Sequence, residues 1–484
     1  MTIVKTNSLD FDAQALREKI LDLAMRGKLV PQDPNDEPAS ELLKKIKAEK
    51  AELIKEKKIK KSKPLPPITD NEKPFDIPDS WEWVRCKTVT TIGNFQSLSP
   101  EKIKSGENLI ELADIESYSG KLINRECVTK KVGSNKYRYS KGNVLFAKLR
   151  PYLRKVLLAP NDGVCTTELL PIDGIKTDNN YLYYVFLSSF FFGQIEKEMH
   201  GVNLPRVSPK KLSALIIPLP PLSEQSRIAA KIAQLFALLR KVESSTQQYA
   251  KLQTLLKSKV LDLAMRGKLV KQDPNDEPAS ELLKKIKAEK AELIKEKKIK
   301  KSKPLPPITD EEKPFDIPDS WEWVRLGDVL LQTVGGGTPS KQVSEYWNGN
   351  IPWISVKDVH ENNIKVTTTQ DTITNKGVED SSTNLIKANT LIVVMRMAVG
   401  RIAVVKMDAC INQDLRALIT SKYFYDKYLL YIYSRLKFQT SGITVKGLKL
   451  SELLKVVIPL PPFFEQERIV KQLEHLFFEL EHDN

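Results

Sequence analysis

Leu21-Asp22-Leu23-Ala24-Met25-Arg26-Gly27-Lys28-Leu29-Val30 opens a stretch that the chain uses twice. Residues 21–85 recur at 261–325, and only two of the 65 positions differ, Pro31 against Lys271 and Asn71 against Glu311. Both copies close on PFDIPDSWEWVR, at 74–85 and 314–325. Self-similarity of this length means a chain assembled from repeated structural units. A weaker repeat lies upstream of each copy. Ile217-Pro218-Leu219-Pro220-Pro221, with Glu224, Gln225, Arg227 and Ile228, returns 241 residues later as Ile458-Pro459-Leu460-Pro461-Pro462, with Glu465, Gln466, Arg468 and Ile469. The stretches between, about 86–211 and 326–450, hardly resemble each other. The chain is two similar frames holding two different inserts.

The frames read as helical. Past Pro220-Pro221, with Ser223 as the expected N-cap, apolar residues fall at Ile228, Ile232, Leu235, Leu239 and Val242, a heptad seam. It continues less cleanly through Tyr249, Leu252, Leu256, Val260 and Leu263, and Gly267 is the expected stop. About 43 residues make a helix on the order of 65 Å long, which suits a spacer. Ile469, Leu473, Leu476 and Leu480 match the start of this helix, and Leu16, Ile20 and Leu23 match Leu256, Val260 and Leu263 near its end. The C-terminal helix followed by the N-terminal one therefore reproduces the central helix. This circular pseudo-repeat predicts that the termini meet and pack against the central helix, antiparallel to it.

A second helix is expected from Asp36 and Pro38 to about Ser62, and from Asp276 to Ser302. Residues 44–63 hold ten Lys and three Glu, a balance of +7. Two copies supply +14 of the chain's net +15, so nearly all the excess charge sits on the frames. That charge either stays solvated or docks on phosphates or an acidic partner. Trp81-Glu82-Trp83-Val84 and Trp321-Glu322-Trp323-Val324 alternate like strands, with the tryptophans as core anchors rather than base-stacking platforms.

With 484 residues, 41% of them hydrophobic, the chain supports two or more cores. The net charge favours nucleic acid over a membrane surface. No run approaches the roughly 18 apolar residues of a membrane span, the N-terminus lacks a signal-peptide core, and Cys86, Cys127, Cys165 and Cys410 show no paired spacing. A cytoplasmic protein is expected.

The inserts are β-rich. Asn143–Lys155 places Lys148, Arg150, Arg154 and Lys155, with Tyr152, around a proline turn, a chemistry suited to phosphates and guanine edges. Val394–Arg401, with Arg396 and Arg401, occupies the corresponding place in the second insert. Cys410-Ile411-Asn412-Gln413-Asp414 then stands opposite Cys165-Thr166-Thr167-Glu168, and the amides of Asn412 and Gln413 suit adenine. Gly335-Gly336-Gly337-Thr338-Pro339-Ser340-Lys341 departs from the phosphate-loop order. It is expected to be a flexible loop that brings Thr338, Ser340 and Lys341 close to DNA. Arg206 and Lys446 complete the candidate set. The four histidines lack metal-ligand spacing. Walker A, nucleophile-elbow and Rossmann patterns and an amino-methyltransferase tetrapeptide are all missing, so no catalytic, cofactor or metal residue is assigned.

IPLPPLSEQSRI running into a heptad helix, IPDSWEWVRLGDV opening an insert, GGGTPSKQVSEYWNGNIPWISVKDV within one, and the 143–155 run together resemble the specificity subunits of type I restriction–modification systems. The resemblance covers nearly the whole chain. It implies an α+β architecture in which two α/β target-recognition domains with β-rich cores are separated by long antiparallel coiled-coil helices. The matching domains are an N-terminal helical region at 1–62, a first recognition domain at 63–220, central helices at 221–302, a second recognition domain at 303–462, and a C-terminal helix at 463–484. It also implies a non-catalytic subunit that reads an asymmetric bipartite site on double-stranded DNA. Two methyltransferase subunits and restriction–translocase subunits would be its partners. S-adenosylmethionine, ATP and Mg would be bound by those partners and not by this chain. The competing reading is a stand-alone sequence-specific DNA-binding coiled-coil protein.

Overall fold

The computed structural model describes residues 12–482 except 62, 125, 130, 131, 200–203, 361–363, 439 and 441–446. The chain divides into two compact units, residues 1–248 and 249–484. A single 44-residue helix, Leu222–Met265, supplies its first part to one unit and its remainder to the other. Among the described residues no helix is long and apolar enough to cross a membrane.

The central helix starts earlier than Ser223 predicts. The Pro221 carbonyl already accepts the Gln225 N–H at 3.0 Å, because a proline, having no N–H to leave unpaired, is tolerated ahead of a first turn. Ser223 instead hydrogen-bonds Asp36. The stop falls where expected. Lys268 N–H reaches the Leu263 carbonyl at 2.9 Å across Gly267, whose φ is +66°, a left-handed closure that glycine makes without strain. A Cβ there would lie 2.4 Å from Pro318.

In the first unit the N-terminal helix Ala13–Met25 runs antiparallel to the central one: Arg17 pairs with Glu243, and further along the chain Gln32 meets Glu224. In the second unit the C-terminal helix Phe463–His482 does the same, with Gln253 bonded to the Leu480 carbonyl and Gln272 to Glu465. The apolar seam is displaced from its expected line. Ile228, Ile232 and Phe236 are buried, but Val242, Tyr249, Leu252 and Leu256 are 40–57% exposed. The half-buried positions beyond Phe236 include Glu243, Thr246, Gln253 and Lys257. Polar contacts such as Arg17–Glu243 replace a continuous heptad core there.

The lysine-rich helices are shorter than predicted, Ala39–Lys55 and Ala279–Lys295. Each ends in a left-handed turn at Lys57 or Lys297, and Lys58 N–H closes on the Leu53 carbonyl at 2.9 Å, as Lys298 does on Leu293. That turn sends Ile59 and Ile299 back into buried positions. Asp36 is no cap: its carboxylate holds the Arg227 guanidinium through two bonds, as Asp276 holds Arg468. Lys50 and Lys290 are half-buried on backbone carbonyls, and burial lowers the pKa of each.

Each insert is closed at its root by a two-stranded antiparallel ribbon, Glu82–Arg85 with Ile216–Leu219 and Glu322–Arg325 with Val457–Leu460. Beyond the root the first insert holds a five-stranded and a three-stranded sheet, the second a five-stranded and a four-stranded one. Both contain a parallel pair, Ile110 beside Cys165 and Ile354 beside Ile411. Both also contain a strand triplet whose middle member is Val144–Ala147 or Leu391–Val394.

Trp81 and Trp321 are 3% and 4% exposed, so they anchor the core. Each indole N–H donates to a buried carboxylate at 2.9 Å, Trp81 to Glu224 and Trp321 to Glu465, and Gln32 or Gln272 donates to the other oxygen at 2.6 Å. Burial raises the pKa of both glutamates, and these donors oppose the shift. The next residue binds the insert. Gln225 donates to the Pro220 carbonyl and accepts from Asp178 N–H, which caps helix Asn179–Leu187; Gln466 does likewise with Pro461 and Tyr425.

E224A leaves the buried Trp81 indole N–H unpaired and takes an acceptor from Gln32, so a loss of about 1–3 kcal/mol is expected, read by urea denaturation with tryptophan fluorescence. E224Q keeps an acceptor for Trp81 and should lose less. Arg85 holds Glu72 at about 2, and Arg325 holds Glu312 at about 2, below the ordinary 4.5. Because the folded pKa lies below the unfolded one, this stabilisation is present above 4.5 and is lost as pH falls toward 2. Acid melts of the E72Q/E312Q double variant should therefore fall less steeply over that window than those of the parent chain.

Candidate nucleic-acid interface

The two cationic loops leave equivalent strands by equivalent bonds. In the first insert Lys148 N–H donates to the Glu168 carbonyl at 3.0 Å, and Val207 N–H donates to the Lys148 carbonyl at 3.0 Å. In the second, Met395 N–H donates to Asp414 and Leu448 N–H to Met395, both at 2.7 Å. Isolated bridges follow at Leu149–Arg206 and Arg396–Gly447. The correspondence between Asn143–Lys155 and Val394–Arg401 is thus one of backbone geometry. It brings Arg206, 57 residues beyond Leu149 in sequence, beside the first loop.

Within the first loop the candidates divide. Pro151–Leu153 is a single helical turn flanked by Arg150 and Arg154, both left-handed, with φ of 48° and 46°. This geometry turns Arg150 and Tyr152 outward, and both are exposed. Arg154 points the other way. It bonds Glu18 and Ser189 at 3.2 Å and lies over the Phe192 ring, with its side chain 18% exposed. Lys155 donates to the Leu112 carbonyl at 2.7 Å, and Arg206 lies 3.5 Å from Glu168. Lys148 is half-buried.

In the second insert the triple glycine is packed rather than loose. Gly337 N–H donates to the Ile411 carbonyl at 3.0 Å, and its own carbonyl accepts the Trp353 indole at 3.1 Å. A Cβ on Gly336 would lie 2.1 Å from the Ile411 oxygen. These glycines permit close backbone approach. Thr338 beyond them bonds Gln413, and Ser340 and Lys341 are exposed. Asn412 is 6% exposed and its side-chain oxygen accepts the Asp414 N–H at 3.1 Å, so its amide is used within its own turn. Arg401 donates to the Val359 carbonyl at 3.1 Å. Lys446 lies outside the described residues.

Arg396 and Gln413 line one cleft of about 770 Å³ together with Asp414, Arg416 and Lys449. Arg396 is 3.8 Å from the Asp414 carboxylate with its side chain 63% exposed. Sequence reasoning missed Arg416 and Lys449. Arg416 sits in an otherwise apolar strand, Leu415–Thr420, where it reads as an ordinary outward position. Lys449 precedes a short helix, and only the fold brings it to the cleft.

The architecture is one of paired, divergent β-rich domains on a duplicated helical frame. The chain belongs to the type I restriction modification DNA specificity family, whose model matches residues 78–253 and 318–484. It is 41% identical over 375 residues to the EcoAI type I restriction enzyme specificity subunit of Escherichia coli, covering 66% of this chain and 62% of that one. With the EcoEI specificity subunit, also of Escherichia coli, it shares 38% over 386 residues, covering 68% and 64%. The matches thus span somewhat under two thirds of those relatives. Among solved structures, a chain of a type I R-M system assembly superposes with a TM-score of 0.59 at 23% identity, covering 84% of this chain and 92% of that one. The HsdS subunit from Thermoanaerobacter tengcongensis gives 0.50 at 22%, covering 85% and 94%. These two show a shared fold.

R154A is expected to lower the stability of the first unit by about 1 kcal/mol through loss of the Glu18 pair and the Phe192 contact. R150A, with an exposed side chain, should change it by less than about 0.5 kcal/mol. Thermal melts of the two variants check the order.

Proposed function

We propose that this chain is the DNA-specificity subunit of a type I restriction–modification complex, reading one half of an asymmetric, gapped site with each insert. One observation carries the reading: two inserts of different sequence stand on frames that repeat bond for bond. Trp81–Glu224, Asp36–Arg227 and Tyr181 to the Pro218 carbonyl have their counterparts in Trp321–Glu465, Asp276–Arg468 and Tyr428 to Pro459. Different readers supply an asymmetric target. Matching frames offer equivalent seats to two copies of one partner, here the methyltransferase subunits. Restriction–translocase subunits join in the full complex.

On this proposal the chain performs no bond chemistry itself. S-adenosylmethionine, ATP and Mg belong to the partners, and the product is methylated adenine. The central helix sets how many base pairs are left unread, since one DNA turn is roughly 34 Å. Exposed Arg150, Tyr152, Lys341, Arg396 and Gln413 make the DNA contacts, while Thr338 positions Gln413.

Deleting the gene should abolish adenine methylation at one gapped asymmetric motif in a genome-wide map. An unchanged map would favour the stand-alone DNA-binding protein. Replacing residues 326–456 by a second copy of 86–215 exchanges inserts between matching roots. It should convert that motif to a symmetric one built from the first half-site alone.

A further inference from the structure

The divergence between the inserts has a sharp point inside the shared strand triplet. Arg416 stands opposite Val393, and Leu170 stands opposite Phe146 at the equivalent position. Leu170 is fully buried. Arg416 puts a guanidinium in the same place. Its other strand neighbour is Gly335, and a Cβ there would come within 3.0 Å of one Arg416 terminal nitrogen and 3.4 Å of its central carbon. Glycine therefore leaves the space across which the guanidinium lies.

Arg416 has no ion pair among the described residues, and its buried Nε has no hydrogen-bond partner. Burial lowers its pKa from the ordinary arginine value. An unpaired, partly desolvated guanidinium is costly to keep unless something completes its bonds. The side chain lines the cleft with Arg396, Gln413 and Lys449. Two exposed cations there suit flanking phosphates, while a planar fork set deeper matches the paired acceptors of a guanine major-groove edge.

We propose that Arg416 is a specificity-determining residue of the second insert that reads a guanine through its O6 and N7; this rests on the DNA-reading role proposed above. Arg396 and Lys449 hold the backbone on either side. The first insert, with Leu170 in that position, makes no such contact.

The test uses the assembled complex and duplexes carrying its target, each base pair of the second half-site substituted in turn. R416L is the main variant, because the first insert already accommodates leucine at this position. R416K keeps the charge and serves alone if R416L melts early. Expected is a loss of roughly ten- to a hundred-fold in affinity for the target, with discrimination abolished at one G·C pair and retained elsewhere. R416K should fail to restore that discrimination. The assignment falls if the variants read every position as the parent does. It also falls if affinity drops equally for all duplexes with the salt slope reduced by about one, the mark of a phosphate contact. A parent complex that selects no gapped target would sink the underlying reading and this one with it. A selected target that R416L and R416K read unchanged removes Arg416 alone.

Discussion

A buried carboxylate holds each unit together. Glu224 and Glu465 are each 1% exposed, and an isolated carboxylate in such a place is strongly disfavoured. Each persists because an indole and an amide donate to its two oxygens. Those donors lie between 143 and 193 residues away in sequence. Satisfying the carboxylate therefore requires the 21–85 segment to meet the 217–228 segment, and the 261–325 segment to meet the 458–469 one. A polar requirement, directional and unforgiving, specifies an assembly that apolar packing alone would leave looser. The Asp36–Arg227 and Asp276–Arg468 forks repeat the same constraint one helical turn on.

The same geometry explains how such different inserts are tolerated. Their roots are ribbons of backbone hydrogen bonds, Arg85 beside Ile216 and Arg325 beside Val457, and backbone pairing is indifferent to most side chains. The repeated glutamines, Gln225 and Gln466, add a second hold through backbone groups alone, the Pro220 and Pro461 carbonyls and the N–H of Asp178 or Tyr425. Beyond those backbone groups the attachment asks the inserts for one matching side chain, the tyrosine hydroxyl that donates to the ribbon proline, Tyr181 to Pro218 and Tyr428 to Pro459.

The duplicated frame, its antiparallel helix pairs, the glycine stop at Gly267 and the core role of Trp81 and Trp321 were legible in the sequence, because each rests on periodicity or on a repeat. The seam beyond Phe236 was not. Leu252 and Leu256 have heptad spacing, but spacing alone cannot tell which of two neighbouring stripes turns inward when ion pairs such as Arg17–Glu243 compete. The lysine-rich helices ended early because a non-glycine residue, Lys57, takes a left-handed turn that composition gives no warning of. In the inserts, the two cationic runs were visible, but their division into exposed and committed members was not. Arg150 and Arg154 are four residues apart and chemically identical, and only the helical turn between them sends one outward and the other onto Glu18.

Charge follows the same separation of constant from variable. The lysine excess lies on the frames, in two copies, so under the proposed function it cannot tell one DNA half-site from another. Part of it is already used internally: Lys44 and Lys45 pair with Glu41 and Glu37, and Lys50 is half-buried on a backbone carbonyl. What remains can contribute only an attraction that is independent of sequence and weakened by salt. Discrimination must then come from side chains that differ between the inserts at equivalent backbone positions. Leu149 against Arg396 and Leu170 against Arg416 are two such positions, each fixed by the same strand pairing in both units. A scaffold that holds the backbone constant while those positions vary can acquire a new preference by substitution there, leaving Glu224, Glu465 and their donors untouched.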